Sequence, residues 1–212
     1  MTDTLTQLIA KLQPLLLDDG TRFTTATCTS AIRQALKEFN LVAPIHAGDL
    51  VTPVLGQKEY ELDVPTALYI VDVLRKGIDV YTEEHVSLNF DQYFEDGRPF
   101  FRLRVAEPVT NTLIVRYVIP HTINGLDSAT DSTLPALFDI VLLDGAAWQA
   151  CLIRAAGRIE SINMNTDVPD PWTTAALHFE EAFRFGLLNA ARQSFARVPD
   201  PRTWHDEWQG QF

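Results

Sequence analysis

The sequence lacks the short motifs that mark most enzymes. It contains no Gly-x-Gly-x-x-Gly fingerprint, no phosphate-binding Gly-x-x-x-x-Gly-Lys loop, no His-Glu-x-x-His and no Gly-x-Ser-x-Gly. Nucleotide-dependent chemistry, zinc proteolysis and serine hydrolysis therefore have no recognisable signature in it. The five histidines are isolated from one another and from cysteine, without the spacing of a metal site. We expect a protein that is not an enzyme and that carries no cofactor or metal.

The chain is also poor in lysine and cysteine. Four of its 17 basic residues are lysines, and 28 acidic residues give a formal net charge of −11. A protein that binds the phosphates of DNA needs clustered lysine and arginine side chains. The charge therefore argues against sequence-reading DNA binding, but it suits a protein that stays near DNA without adhering to it. Cys28 and Cys151 lie far apart without a Cys-x-x-Cys pair, which is typical of free thiols in a reducing compartment.

No targeting or membrane segment is expected. The N-terminus carries an acid before its first base and becomes amphipathic at once, unlike a secretory signal. Asp139, Asp144 and Arg154 interrupt the longest apolar stretch, so we predict no membrane-spanning helix. Both aspartates are expected to be exposed or to lie in a first helical turn, where the helix dipole favours Asp139.

That apolar stretch, residues 134–162, predicts a long central helix. Its large apolar residues recur at three- and four-residue steps, which is the spacing of one helical face. They are Leu137, Val141, Trp148, Cys151, Leu152, Ala155, Ile159 and Ile162. Alanines occupy the other faces, so the helix should be buried on most sides. Trp148 and Cys151 are predicted to lie in the core, together with Phe183 from the last helix.

Helical patterns also begin and end the chain. Residues 5–16 are amphipathic, with Pro14 expected to kink or shorten the helix. Thr24 is a suitable N-cap for a second helix. Asp170 and Pro171 form a cap and first turn for a last helix that runs to about residue 196.

Alternation of polar and apolar residues predicts strands in the middle of the chain. The alternating or β-branched runs are 58–63, 68–74, 101–105 and 113–119. Residues 88–94 are ambiguous between a strand and a short helix, and Asp96-Gly97 is a hairpin signal. Gly48 and Pro53 indicate a loop before the first strand. Residues 121–132 predict a polar loop that either has a function or is mobile, with its acidic side chains solvated.

These patterns predict an α+β fold, in which a bundle of N- and C-terminal helices has a small antiparallel β domain inserted between them. We assign residues 1–45 to an N-terminal helical pair and 46–122 to the β domain. Residues 123–198 form long C-terminal helices that pack with the N-terminal pair, and 199–212 form an extended tail.

Four short motifs follow one another along the chain in an order that is similar to a known family pattern. The residues concerned are Gly56, Gln57, Tyr60 and Leu62; Pro99, Phe101 and Leu103; Tyr117 and Pro120; and Leu134 and Pro135. They make a Gly-Gln-x-x-Tyr-x-Leu strand, a Pro-x-aromatic-x-aliphatic hairpin, a strand that ends in Tyr-x-x-Pro, and a Leu-Pro that opens an Ala-rich helix. In this order, over nearly the whole chain, they resemble tailed-phage head-to-tail adaptor (connector) proteins. The family pattern has one more residue before the proline of the third motif.

The resemblance implies a structural ring subunit of the virion neck, made in the host cytoplasm. Such a ring docks beneath the portal and lines the DNA channel. The implied partners are the portal protein, neighbouring copies of the chain, tail or nozzle proteins, and DNA in transit, with no membrane. The family is defined by assembly, so the resemblance supplies no active-site residues. The alternatives are another neck or tail-completion protein, and an acidic intracellular binding module.

The C-terminal tail is the predicted partner-binding segment. Trp204, Trp208 and Phe212 stand four residues apart, so a short helical turn would place their rings on one side. Large aromatics are typical anchors of interfaces. We predict that these three dock on the portal or on a neighbouring subunit. The alternative is that the tail folds back onto its own helices.

Overall fold

The computed structural model describes residues 3–18, 21–76, 86–108, 111–159 and 171–196. Within them the chain has four α-helices, one 3₁₀ turn and seven strands, and every strand pair is antiparallel. The predicted α+β composition is confirmed. The chain divides into a helical unit, residues 1–43 and 121–193, and a β unit built on residues 44–120.

The part of the helical unit that the structure describes contains four α-helices, and the first two have N-caps made by threonine side chains. The helices are α1 (Leu5–Leu15), α2 (Thr25–Val42), α3 (Asp139–Ile159) and α4 (Pro171–Ala196), with a 3₁₀ turn at Ala136–Phe138. Thr4 and Gln7 satisfy each other's backbone amides in a capping box at the start of α1. Thr24 accepts a hydrogen bond from the Thr27 amide at 3.2 Å, which confirms it as the N-cap of α2. Pro14 lies in the last turn of α1, so that helix is short rather than kinked.

Helix α3 packs in the helical core, and its buried face overlaps the predicted stripe only in part. Its most deeply buried residues are Leu142, Ala146, Ala147, Ala150 and Cys151. Leu137 and Leu152, both placed on the predicted inner face, are 52% and 39% exposed. Alanine side chains let the backbone of a neighbouring helix come close, and such close packing fills an interior without large residues. The alanines, which were predicted to leave the helix buried on most sides, therefore form much of its packed face.

Helices α3 and α4 cross at two glycines. A methyl group added at Gly145 would lie 2.7 Å from the Phe183 ring, and one added at Gly186 would lie 2.7 Å from Val141. Residue numbers rise along one helix as they fall along the other, so the two helices run antiparallel. At each glycine, a large side chain of the opposite helix fills the space that a Cβ atom would need.

By length and composition, residues 136–157 could cross a membrane, and half of the qualifying window is buried inside the protein. This finding corrects the prediction that no stretch of the chain was apolar enough. The charged side chains in the stretch are too few to break it. Burial of Ala146, Ala147 and Ala150 in the helical core is what a central helix of a globular unit shows as well.

The β unit contains two antiparallel sheets with one common core. Its strands are β1 (Ile45–Val51), β2 (Glu59–Glu61), β3 (Tyr69–Arg75), β4 (Val86–Ser87), β5 (Phe90–Glu95), β6 (Arg98–Leu103) and β7 (Leu113–Ile119). The strand order is β1-β7-β3-β4 in one sheet and β2-β6-β5 in the other. Tyr60 and Phe101 from the smaller sheet join Val73 and Val115 from the larger sheet in a single hydrophobic cluster.

Two features of the β unit test the sequence patterns directly. Asp96 and Gly97 have φ angles of 48° and 78°, as a tight hairpin turn requires, and they join β5 to β6. The prediction of a loop around Gly48 was wrong, because Ile45–Val51 pairs with β7 over its whole length. Gly48 lies beside β7 in the sheet. A Cβ atom added to it would lie 3.5 Å from the Val115 carbonyl oxygen, an ordinary contact distance.

Candidate interaction surfaces

The three predicted core residues lie in the helical unit. Cys151 and Phe183 are fully buried. Trp148 is only partly buried at the edge of the core, with its ring centroid 6.0 Å from that of Phe183. The deepest positions of α3 are held by alanines, so the large indole lies at the rim. The predicted tail residues Trp204, Trp208 and Phe212 lie outside the described residues.

The polar loop that precedes α3 is bonded to both N-terminal helices. The Leu5 amide donates to the Asn124 carbonyl oxygen at 3.0 Å, and the Ser132 hydroxyl donates to the Asp3 carbonyl oxygen at 2.7 Å. Arg33 of α2 binds the Asp127 carboxylate at 2.7 Å. These hydrogen bonds from Arg33 lower the pKa of Asp127. The loop therefore has a structural function, and Asp127, expected to be solvated, has an ion-pair partner.

His121 is the residue at which the chain re-enters the helical unit after the β unit, and hydrogen bonds to Asn40 of α2 fix its backbone. The Asn40 side chain donates to the His121 carbonyl oxygen at 3.2 Å and accepts from its amide at 2.7 Å. The His121 Nδ1 atom lies 3.2 Å from the Thr133 carbonyl oxygen. Burial lowers the pKa of His121, against the opposing effect of the Thr133 and Ala43 carbonyl groups. The folded structure therefore favours the neutral imidazole.

An unpredicted carboxylate pair lies at the start of α3. Asp139 is in the first turn, as expected, but it is only 9% exposed. Lys11 forms an ion pair with Asp3 and lies 3.9 Å from Asp139. Burial raises the pKa of Asp139, the nearby Asp3 raises it further, and Lys11 opposes the rise. The predicted position of Asp139 in the first helical turn is confirmed; the exposed alternative is not, because the N-terminal segment covers its carboxylate.

Asp144 is a second unusual acid on α3. It is partly buried, and burial raises the pKa of its carboxyl group. It has no hydrogen-bond or ion-pair partner among the described residues. Across those residues, no three His, Cys, Asp or Glu side chains come together to hold a metal ion.

Helix α4 carries large apolar side chains on two opposite faces. Phe183 and Leu187 pack into the core, whereas Leu177, Phe185 and Leu188 are 62%, 69% and 60% exposed. The spacing of the exposed residues places them on one side of the helix. We call this side the α4 outer stripe; it comprises Leu177, Glu181, Arg184, Phe185 and Leu188. A helix that is apolar on both faces is typical of one that packs on both faces.

The β unit presents a polar face and an open edge. Arg98 and Glu61 form an ion pair on the outer side of the smaller sheet, near the stacked rings of Tyr93 and Phe100, whose centroids are 5.4 Å apart. Strand β1 is the edge of the larger sheet, and its Leu50 is 67% exposed. Edge strands are where sheets can accept a further strand.

The residues that carry the adaptor resemblance hold the β unit together. Gly56 has a φ of 76°, a conformation that favours glycine. The Tyr60 hydroxyl donates to the Gln57 carbonyl oxygen at 3.0 Å, and the Tyr60 ring stacks on Phe101 with centroids 5.2 Å apart. The Tyr117 hydroxyl donates to Asp49 of β1 at 3.0 Å. These motif residues are therefore turn and core positions.

No known family profile and no curated protein matches this chain. Among solved structures, it is similar to the neck of an empty gene transfer agent (GTA) particle computed with C6 symmetry, at 12% identity and a TM-score of 0.31, over 82% of this chain and 87% of that one. The neck of a native GTA particle computed with C12 symmetry matches at 14% identity and a TM-score of 0.29, over 86% and 92% of the chains. The virion of a native GTA particle matches at 12% identity and a TM-score of 0.29, over 74% and 77%.

These neighbours are structures of the neck and the virion of gene transfer agent particles. TM-scores near 0.3 do not show a common fold.

Proposed function

We propose that this chain is a structural head-to-tail adaptor in the neck of a tailed phage or phage-like particle. The observation that carries the proposal is where the motif residues lie. Tyr60 and Phe101 belong to separate motifs of the adaptor pattern, yet their rings stack at 5.2 Å. Gly56 has a positive φ, which favours glycine, and Leu134 is buried beside the start of α3. Two of the motifs thus form adjacent, directly paired strands of one sheet.

On this proposal the chain forms a ring beneath the portal protein, with copies of itself as neighbours and tail or nozzle proteins below. A ring of identical subunits needs two different surfaces that meet by rotation. The edge of β1 supports such a role, since this seven-residue strand has no proline or lysine within it to block pairing. Leu50, Val54 and Leu55 are all more than half exposed beside that edge.

The charge supports a channel through which DNA passes. Each subunit carries a net charge of −11, and a ring multiplies it. Repulsion between acidic side chains and phosphates extends over about 8 Å at physiological salt, so DNA would move through the ring without adhering. The role we propose is one of assembly in the virion after synthesis in the host cytoplasm, and not of catalysis.

Reconstitution tests the proposal. The purified protein is mixed with the purified portal ring from the same genome, and the products are imaged by cryo-electron microscopy. We expect a second ring stacked coaxially on one end of the portal. A protein that is folded by circular dichroism and leaves the portal bare at concentrations of about 100 µM would contradict the adaptor role.

Deletion of the gene separates the adaptor from its alternative within the virion. An adaptor mutant should accumulate DNA-filled heads and separate, complete tails, because only the junction is missing. Defective tails on otherwise complete heads would instead indicate a tail-completion protein. Normal infectious particles would indicate that the chain has no structural role in the neck.

A further inference from the structure

We propose that the free protein forms a two-fold dimer in which the α4 outer stripes of two copies pair antiparallel. This inference does not rest on the proposed function. Its starting point is the exposure of Leu177, Phe185 and Leu188, each 60% or more, on a helix whose other face is already packed. Exposed apolar stripes of this kind mark interaction sites.

The spacing of the stripe is that of a helix-pairing seam. Leu177, Glu181, Arg184 and Leu188 follow one another at steps of four, three and four residues, which is the a/d spacing of a coiled coil. Antiparallel pairing centred between positions 182 and 183 sets Leu177 opposite Leu188 of the second copy. The same register sets Glu181 opposite Arg184 of the second copy, and the two-fold axis repeats both contacts.

The charges of Glu181 and Arg184 favour a second copy of the chain as the partner and an antiparallel arrangement of the two helices. In the antiparallel register, each Glu181 meets an arginine and each Arg184 meets a glutamate, so the stripe is complementary to itself. A parallel pair would set Glu181 against Glu181 and Arg184 against Arg184, and such like-charge contacts disfavour a partner by electrostatic repulsion. A second copy of the chain is thus the occupant whose charges fit both charged positions.

The position of Arg184 is partly fixed before pairing. Its Nε atom donates to Glu180 at 2.8 Å within the same helix, while its side chain remains 68% exposed. A guanidinium group has five N–H donors, so it can keep this bond and bind Glu181 of the second copy. Phe185 lies beside the seam, where its ring can cover the leucine contacts.

The dimer should be weak and reversible. A single pair of helix faces buries less than the roughly 800 Å² per partner of a standard interface, so we expect a dissociation constant on the order of 10–100 µM. A two-fold contact uses the same surface on both copies and cannot propagate into a ring. The dimer is therefore a state of the free protein, separate from any ring contact.

Charge reversal tests the pairing. Sedimentation analysis of the full chain from about 1 µM to 1 mM should show a monomer–dimer equilibrium. Glu181→Arg and Arg184→Glu should each weaken dimerisation by roughly tenfold or more, because each creates like-charge contacts on both sides of the axis. An equimolar mixture of the two variants should dimerise again, since every arginine in the mixed pair then faces a glutamate. Circular dichroism checks that both variants keep their helix content.

Leu41→Ser is the matched control. Leu41 is 80% exposed but lies on α2, so its replacement should leave dimerisation unchanged. The proposal is overturned if the wild-type protein stays monomeric up to about 1 mM. It is equally overturned if its dimer survives both charge reversals, or if the mixture fails to pair. Dimerisation only after removal of residues 199–212 would show that the chain covers this stripe itself, and would overturn the proposal too.

Discussion

The α3–α4 crossing predicts opposite effects for the same substitution at two positions of one helix. In Gly145→Ala the new methyl group would lie 2.7–2.9 Å from three atoms of the Phe183 ring, where contacts of about 3.5–4.0 Å are normal. Phe183 is fully buried, so the ring has no free space to move into. Overpacking of this kind costs about 1–3 kcal/mol, and alanine recovers about 1 kcal/mol of helix propensity. We expect a net loss of up to about 2 kcal/mol.

Gly157→Ala is the matched control on the same helix. Apart from its chain neighbours and its own helix backbone, no atom of the described residues lies within 4 Å of a Cβ built at Gly157. Only the propensity gain therefore remains, about 0.5–1 kcal/mol of added stability. Both variants gain this propensity, so they should differ by the overpacking cost alone, about 1–3 kcal/mol. For a chain of this size each kcal/mol corresponds to roughly 2–4 °C in melting temperature. Urea unfolding followed by circular dichroism at 222 nm measures the difference.

A double-mutant cycle locates the cause. Phe183→Leu shortens the side chain that the new methyl group meets, so Gly145→Ala should cost at least about 1 kcal/mol less in that background. If Gly145→Ala instead stabilises the protein as much as Gly157→Ala does, the two helices do not cross at Gly145 and the packing described above is wrong. A cost that is independent of residue 183 would place the clash elsewhere.

Three further changes have expected outcomes. Asp144→Asn should stabilise the protein by about 0.5–1 kcal/mol at pH 7, because it removes a partly buried negative charge. Burial raises the pKa of this carboxyl, so the group is protonated near pH 3 and the gain measured by urea titration should vanish there. Burial lowers the pKa of His121, so stability that is present above its ordinary pKa of about 6.5 should fall on acidification; His121→Gln should show a smaller loss between pH 7.5 and 5. Deletion of residues 199–212 should leave the melting temperature nearly unchanged and abolish portal binding in a pull-down; unfolding of the truncated chain would refute this.

Local signals in the sequence predicted the parts of the fold that local chemistry decides. The Thr24 cap, the Asp96-Gly97 turn and strand β7 follow from single residues or from strict alternation. Strand β1 was missed because Gly48 interrupts its pattern and β7, far along the chain, supplies its pairing. Propensity is weak where such tertiary pairing decides.

Sequence reasoning was least successful where packing sets the outcome. On α3 it gave the inner face to the largest side chains, whereas the close approach of α2 favours Ala146 and Ala150. The burial of Asp139 depends on a contact with Asp3 more than a hundred residues away, which no local pattern records. The α4 outer stripe was not predicted, because the face of α4 that stays exposed depends on how the helix packs against α3.

The two hydrogen bonds between Asn40 and His121 have a consequence for the order in which the chain folds. The β unit is continuous in sequence, and pairing of Ile45 with Ile119 brings residues 43 and 121 close together. If this pairing forms first, a loop of roughly 80 residues is already closed before α2 meets α3. Closing so long a loop costs about 2.5–3 kcal/mol more than closing one of about four residues. Contacts between α2 and α3 then behave as local ones, which fold faster. Weakening the β1–β7 pairing should therefore slow the folding of the helical unit.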